Sequence, residues 1–184
     1  GLAATLGSGA MTNSMEEVLQ SKVIFVIGSN TTYNHPVFGS LLKQAVKHHG
    51  ARLIVCDPRR IDLVDFADIW LQQRNGSDVA LLSGLQHIIL REGWEAKQYI
   101  QERCEGFDEY RQAIEFYTPE KVEELTGVKA ADLEAAARLY ATSGVGALYY
   151  CMGITQHSHG VDNVKACVNL ALITGNIGVE GGGV

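Results

Sequence analysis

The chain has 184 residues, of which 46% are hydrophobic and 20% charged, and its formal net charge is −6. This composition is typical of a globular domain that is large enough to form a core without disulfides or metals. The fifteen Lys and Arg residues are dispersed, which argues against a nucleic-acid-binding surface, and no apolar run reaches the roughly 18 residues of a membrane span.

The four cysteines are widely spaced and form no C-x-x-C pair. We interpret them as reduced thiols, which favours a cytoplasmic protein and leaves export of a longer parent protein open. The sequence lacks an initiator Met and stops within a glycine-rich stretch. We therefore expect the chain to be an internal fragment of a longer protein.

The first half of the chain has the pattern of a βαβ unit. The continuous apolar run over 22–29 predicts a parallel strand that is buried on both faces. Pro36 can occupy the first position of a helix, and Gly50 can form its C-cap. The apolar runs 51–58 and 67–73 predict the second and third strands.

The second half is mainly helical. Ser77 or Asp78 can cap a helix over 79–93, and residues 94–127 predict short amphipathic helices, one of them with Thr118 as its N-cap. A helix over 129–144, a strand over 146–153 and a helix over 161–175 complete the pattern. The alternation predicts an α/β fold: a doubly wound, mostly parallel sheet with flanking helices, forming one domain over 1–184 with a helical insertion around 94–127.

Small and polar residues follow each predicted strand. Because ligands of open parallel sheets bind beyond the carboxyl ends of the strands, these loops predict an extended, nucleotide-like ligand. Backbone N–H groups after the first strand can face an anion, Asp57 is placed to accept hydrogen bonds from ribose, and Arg59 can stack on a base or reach a phosphate. The residues concerned are Gly28, Ser29, Asn30, Thr31, Asp57, Arg59, Gly76, Asp78, Gly153 and Gln156.

Other site types are less consistent with the sequence. The G-x-G-x-x-G fingerprint of a nicotinamide-binding fold is absent, because the first loop reads GSNTTY. Cys151, His157 and His159 lack a fourth zinc ligand nearby in the sequence. No nucleophile motif is present. We therefore predict no catalytic residue and no metal ligand in this chain.

Several segments resemble a known family over nearly the whole chain and in the same order. VIGSNTTYNHPV, IVCDPRRIDLVDFADIWLQQRNGSDVALL, EGFDEYRQAIEFYTPEKVEELTGV and MGITQHSHGVDNVKACVNLALITGNIGVEGGGV closely resemble the catalytic subunits of molybdenum- or tungsten-dependent formate dehydrogenases. These enzymes belong to the molybdopterin oxidoreductase family. The resemblance implies a parent enzyme that oxidises formate to CO2.

The cofactor implied by the resemblance is bis(molybdopterin guanine dinucleotide) with Mo or W. One departure is Tyr33. The resemblance implies a frequently acidic residue at this position, and a tyrosine does not supply the carboxylate contact. The resemblance assigns cofactor contacts to fifteen residues: Gly28, Ser29, Asn30, Asn34, Cys56, Asp57, Pro58, Arg59, Gly76, Asp78, Met152, Gly153, Gln156, Gly175 and Asn176.

The resemblance also implies that the reactive end of the cofactor lies outside this chain. The metal-binding Cys or selenocysteine, a following His, a formate-binding Arg and a [4Fe–4S] region belong to flanking segments of the family. The implied partners are the remaining domains of the same subunit and electron-transfer subunits. Two alternatives remain open: another molybdopterin oxidoreductase, such as a nitrate reductase, or a stand-alone nucleotide-binding module without catalysis, and the isolated segment need not bind cofactor.

Overall fold

Four short strands form one parallel sheet in the computed structural model, which describes all residues from 1 to 184. They are β1 (Val23–Ile27), β2 (Arg52–Cys56), β3 (Ile69–Leu71) and β4 (Gly146–Tyr150). Their order across the sheet is β3-β2-β1-β4, and every pairing is parallel. The predicted α/β class with a parallel sheet is therefore confirmed.

Helices connect the strands and cover both faces of the sheet. None of them combines the length and the apolar character needed to cross a lipid bilayer. The helices are α1 (Leu2–Leu6), α2 (Thr31–Asn34), α3 (Pro36–His49), α4 (Asp78–Arg91), α5 (Lys97–Arg103), α6 (Phe107–Ile114), α7 (Pro119–Thr126), α8 (Ala130–Thr142), α9 (Met152–Thr155) and α10 (Gly160–Ile173), with short 3-10 turns at Glu16–Gln20 and Asp62–Phe66.

The sheet separates two hydrophobic cores, which explains why β1 is apolar throughout. Successive side chains of a strand point to opposite faces. Phe25 and Ile27 therefore join the larger core with residues of α4, α8 and α10, whereas Ile24 and Val26 join the smaller core under α3. All five residues of β1 are fully buried, and each large aliphatic side chain contributes about 1.5–3 kcal/mol of burial free energy.

The helix termini follow the predictions at two positions and depart from them at one. Gly50 ends α3 in the left-handed conformation with φ of 73°, and the hydroxyl of Thr118 accepts a 3.3 Å hydrogen bond from the amide of Lys121 at the start of α7. Ser77 occupies the N-cap position of α4, but its hydroxyl donates to the carbonyl of Arg74 instead of capping the helix. The N-terminal amides of α4 therefore have no side-chain cap.

All four strands are shorter than the apolar runs that predicted them. The fourth ends at Tyr150, because the chain turns into α9 where Gly153 packs against Gly28. The third covers only Ile69–Leu71. The short helix α2 and the 3-10 turn at Asp62–Phe66 were not predicted. Within 94–127 the chain forms α5, α6 and α7, which pack on α4 and α10.

Candidate functional site

The topology creates a crevice at the carboxyl edge of the sheet. The chain passes from β1 through β2 to β3 on one side and then crosses to β4 on the other side of β1. The loops after β1 and β4 therefore leave the sheet in different directions, which is where open α/β sheets bind ligands. A cavity of about 260 Å³ lies there, here called the strand-end cavity, and is lined by Gly28, Asn30, Asn34, Asp57, Pro58, Arg59, Gln73, Arg74, Asn75, Gly76, Asp78, Cys151, Met152, Gly153 and His157.

Two glycines hold the loops after β1 and β4 together. Gly28 has a φ of +58°, and its carbonyl accepts a 3.0 Å hydrogen bond from the amide of Gly153. A Cβ on Gly153 would lie 2.6 Å from that carbonyl oxygen, and one on Gly28 would lie 2.8 Å from the carbonyl carbon of Gly153. Neither position therefore accommodates a side chain, and bare backbone forms this wall of the cavity.

Asp57 is a buried carboxylate at the end of β2. It is 4% exposed, and its Oδ1 accepts a 2.8 Å hydrogen bond from the amide of Arg59. The Arg59 guanidinium lies 3.7 Å from the same oxygen and is 73% exposed. The second carboxylate oxygen of Asp57, Oδ2, has no partner in the protein. Asp57 can thus accept hydrogen bonds from a ligand, while the exposed Arg59 side chain can reach an anionic group.

Asp78 is a second buried carboxylate, at the first residue of α4. It is 5% exposed, and its Oδ1 accepts a 3.1 Å hydrogen bond from the side-chain amide of Gln73. The guanidinium of Arg74 points away and donates to the carbonyl of Glu124 at 2.6 Å. Asp78 therefore has no cationic partner, and its Oδ2 is left for a ligand.

The charge on Asp78 affects the buried thiol of Cys56. Burial raises the pKa of Cys56 well above its usual value, and the Asp78 carboxylate raises it further. Cys56 therefore stays protonated at neutral pH. This buried thiol forms part of the core beneath the cavity and has no reactive role there.

Asn30 also lines the strand-end cavity. Its side-chain oxygen is buried and has no hydrogen-bond partner, which is uncommon for polar groups in folded proteins. Asp57 and Asp78 each leave one carboxylate oxygen without a partner. The cavity is therefore rich in acceptors and complementary to a ligand that presents several N–H or O–H donors.

The structure gathers most of the predicted site residues around one cavity, but not all of them. Ten line it: Gly28, Asn30, Asn34, Asp57, Pro58, Arg59, Gly76, Asp78, Met152 and Gly153. The sequence assigned no cofactor contact to five further residues that line it: Gln73, Arg74, Asn75, Cys151 and His157. A glutamine within an apolar strand segment was the one available signal for Gln73.

Six predicted contacts lie elsewhere. Ser29 and Thr31 line the neighbouring cavity, and Cys56 is buried in the core. Gln156 is exposed, with its amide donating to the sulfur of Met152. Gly175 follows α10, and the side-chain oxygen of Asn176 accepts a 2.9 Å hydrogen bond from the amide of Gly146, the first residue of β4. Gly175 and Asn176 thus lie at the amino edge of the sheet, and their roles stay predictions.

A second, mostly apolar cavity of about 320 Å³ adjoins the first, and Cys151 lines both. Its walls include Leu2, Met11, Phe38 and Tyr149. The sulfur of Cys151 lies 3.7 Å from Nε2 of His35. No three His, Cys, Asp or Glu side chains meet as a metal-binding group, so Cys151, His157 and His159 do not form the zinc site considered from the sequence.

Comparisons with known proteins relate this architecture to one enzyme family. The chain is 41% identical over its full length to formate dehydrogenase H of Escherichia coli, and 44% identical to the F420-dependent formate dehydrogenase subunit alpha of Methanocaldococcus jannaschii. It spans 26% and 27% of the length of these relatives.

A solved structure has the same fold. Acetylene hydratase from Pelobacter acetylenicus superposes with a TM-score of 0.90 at 31% identity, over 99% of this chain and 24% of that enzyme. The family profile of the molybdopterin oxidoreductases matches residues 3–184. The chain belongs to the molybdopterin oxidoreductase family.

Proposed function

We propose that this chain binds the guanosine end of a bis(molybdopterin guanine dinucleotide) cofactor within the catalytic subunit of a formate dehydrogenase. The observation that carries the proposal is the pair of buried carboxylates, Asp57 and Asp78, which line the cavity at the carboxyl edge of the sheet. Family membership supports a molybdopterin cofactor with Mo or W, and the shape and chemistry of the strand-end cavity support its nucleotide end.

Guanine suits this acceptor-rich cavity because its Watson–Crick edge carries the N1–H and N2–H donors. We assign that edge to Oδ2 of Asp78, which has no partner in the protein. Adenine would present an acceptor, N1, to the same carboxylate, and two facing acceptors repel. We expect Asp57 to accept from the ribose hydroxyls and Arg59 to contact the pyrophosphate.

The remaining parts of the assignment concern the glycine wall of the cavity and the groups beyond it. The bare backbone at Gly28 and Gly153 lets a ligand approach closely, and Met152 lies beside it. When bound, the metal–pterin group supplies the two-electron redox chemistry, whereas the residues of this chain bind and orient its nucleotide end. Ser29, Cys56, Gln156, Gly175 and Asn176 stay predicted contacts.

We further propose that residues 1–184 form one segment of a larger catalytic subunit. The chain spans about a quarter of its relatives' length, which is why we assign the metal ligand, formate binding and a [4Fe–4S] cluster to other domains. The four free thiols support a cytoplasmic location. Electron-transfer subunits are the expected partners.

A related activity is the main alternative. The shared fold with acetylene hydratase, at 31% identity, shows that similar domains occur in enzymes of different activity, so fold alone does not select the substrate. The 41–44% identity to formate dehydrogenases favours formate. Formate-dependent reduction of a dye by the intact, cofactor-loaded protein is the direct assay, and its absence in a metal-loaded preparation would refute this part of the proposal.

The nucleotide assignment is tested by calorimetric titration of the intact, cofactor-free polypeptide. We expect GDP to bind more tightly than ADP and Asp78→Asn to weaken GDP binding at least about tenfold, since a hydrogen bond to a charged group contributes roughly 1.5–3 kcal/mol. Asp108→Asn is the matched control, because Asp108 occupies the first turn of α6 and is exposed. A folded protein that shows no GDP binding at millimolar ligand would contradict the assignment.

A further inference from the structure

Gln73 is an unusual residue for its position. It lies two residues after the end of β3, and its side chain is 2% exposed, whereas its neighbour Gln72 is exposed and donates to the carbonyl of Pro58. A buried amide is unfavourable unless its polar atoms are paired. The amide oxygen of Gln73 has no partner at all. Packing alone therefore does not explain a glutamine here.

The amide nitrogen of Gln73 has one specific partner. It donates a 3.1 Å hydrogen bond to Oδ1 of Asp78, and both residues are buried. No other protein group hydrogen-bonds to this carboxylate. Free rotation of Asp78 would otherwise let either oxygen turn toward or away from the strand-end cavity. The bond from Gln73 selects the orientation that keeps Oδ2 free for a ligand.

The groups around Asp78 make the orientation of its carboxylate depend more strongly on Gln73. The cations that line the cavity do not restrain Asp78, because Arg59 lies beside Asp57 and Arg74 donates to the carbonyl of Glu124. Below it are the buried thiols of Cys56 and Cys167, both close enough for the charge of Asp78 to raise their pKa values. In such a poorly solvated place, a single donor has a large influence on a carboxylate.

We propose that Gln73 is a positioning residue that sets the base preference of the strand-end cavity by holding Asp78 in its ligand-binding orientation. This inference rests on the proposed function, because it concerns the same guanine-binding carboxylate. Gln73 is not required to touch the ligand. Its role is to prepare Asp78, so that the N1–H and N2–H donors of guanine meet an oriented acceptor.

The test compares GDP and ADP binding to the intact, cofactor-free polypeptide carrying Gln73→Met. Methionine keeps the volume and lacks the donor, and it removes an unpaired buried oxygen, so the variant is expected to fold. We expect the ratio of the ADP to the GDP dissociation constant to fall about five- to tenfold, through weaker GDP binding with ADP binding unchanged. A purely structural role would weaken both nucleotides alike.

The matched control is Gln98→Met. Gln98 makes the same type of bond, an amide donating to the carboxylate of Glu102 at 2.8 Å, on the exposed helix α5, and its loss should leave the ratio unchanged. A second variant, Gln73→Leu, also lacks the donor and should reduce the ratio to a similar extent. A wild type that prefers GDP and a Gln73→Met variant that keeps the full preference would overturn this inference alone. A wild type that binds both nucleotides equally would overturn it together with the proposed function.

Discussion

The contact between Gly28 and Gly153 can be tested by adding a single methyl group, in the variant Gly153→Ala. The new Cβ would lie 2.6 Å from the carbonyl oxygen of Gly28 and 2.7 Å from its Cα. Carbon atoms in favourable contact stay about 3.5–4.0 Å apart. Both close atoms belong to the backbone, so no side-chain rotation relieves the clash. The loops after β1 and β4 must move apart.

The expected cost combines two effects. Inserting a methyl group into a packed contact costs about 1–3 kcal/mol. Separating the loops also strains the 3.0 Å hydrogen bond between the Gly153 amide and the Gly28 carbonyl, and such a bond contributes about 0.5–1.5 kcal/mol. We expect Gly153→Ala to lower the free energy of unfolding by about 2–4 kcal/mol.

Urea unfolding followed by circular dichroism measures this change, with two controls. Gly9→Ala adds a Cβ that meets no atom within 4 Å and should change stability by less than about 0.5 kcal/mol. Gly50→Ala also has open space, but its φ of +73° should cost about 1–2 kcal/mol in backbone strain. If Gly153→Ala were no more destabilising than Gly9→Ala, the close contact would not exist as described.

Three further predictions concern thiols, acid stability and capping. At neutral pH iodoacetamide should alkylate the partly exposed Cys151 well before Cys56, whose pKa is raised by burial; equal rates by mass spectrometry would contradict the burial of Cys56. Hydrogen bonding from the Ser14 amide lowers the pKa of Glu17 below its usual 4.5. The ionised carboxylate therefore stabilises the folded state at pH 7, and this stabilisation is lost as the pH falls through the lowered pKa. The difference in urea midpoint between wild type and Glu17→Gln should decrease as the pH is lowered. A difference that does not change with pH would show that ionisation of Glu17 does not stabilise the fold. Thr118→Ala should cost about 1 kcal/mol in urea unfolding, and no change would show that the cap is not formed.

β1 and α3 could be predicted because their local sequences carry clear signals. β1 is an unbroken apolar run since both of its faces are buried, and α3 carries both of its terminal signals, Pro36 and Gly50. The end of β4 depends on a distant contact. The sequence of β4 continues in an apolar manner to Met152, yet the strand ends at Tyr150 because Gly153 must reach Gly28.

The site was predictable in its loops but not in its side-chain pairs. Asp57 and Asp78 follow strands, so a rule about strand ends locates both of them. The bond between Gln73 and Asp78 depends on how the β3–α4 turn folds, which no spacing rule gives. Gly175 and Asn176 follow a helix, and helices run back toward the amino edge of a parallel sheet. The same rule therefore places them away from the strand-end cavity.

The first loop lacks the G-x-G-x-x-G fingerprint, and two roles of its glycines fall to Gly28 and Gly153, which lie on different loops. In that fingerprint one glycine makes the tight turn and a second lets the backbone approach the pyrophosphate. Here Gly28 supplies the turn, with its positive φ, while Gly153, from the far side of the sheet, supplies the second stretch of bare backbone. The backbone wall of the proposed nucleotide site therefore exists only when β1 and β4 are paired. A ligand that requires this wall would stabilise the fold that forms it, so the proposed function predicts that ligand binding and pairing of β1 with β4 are linked.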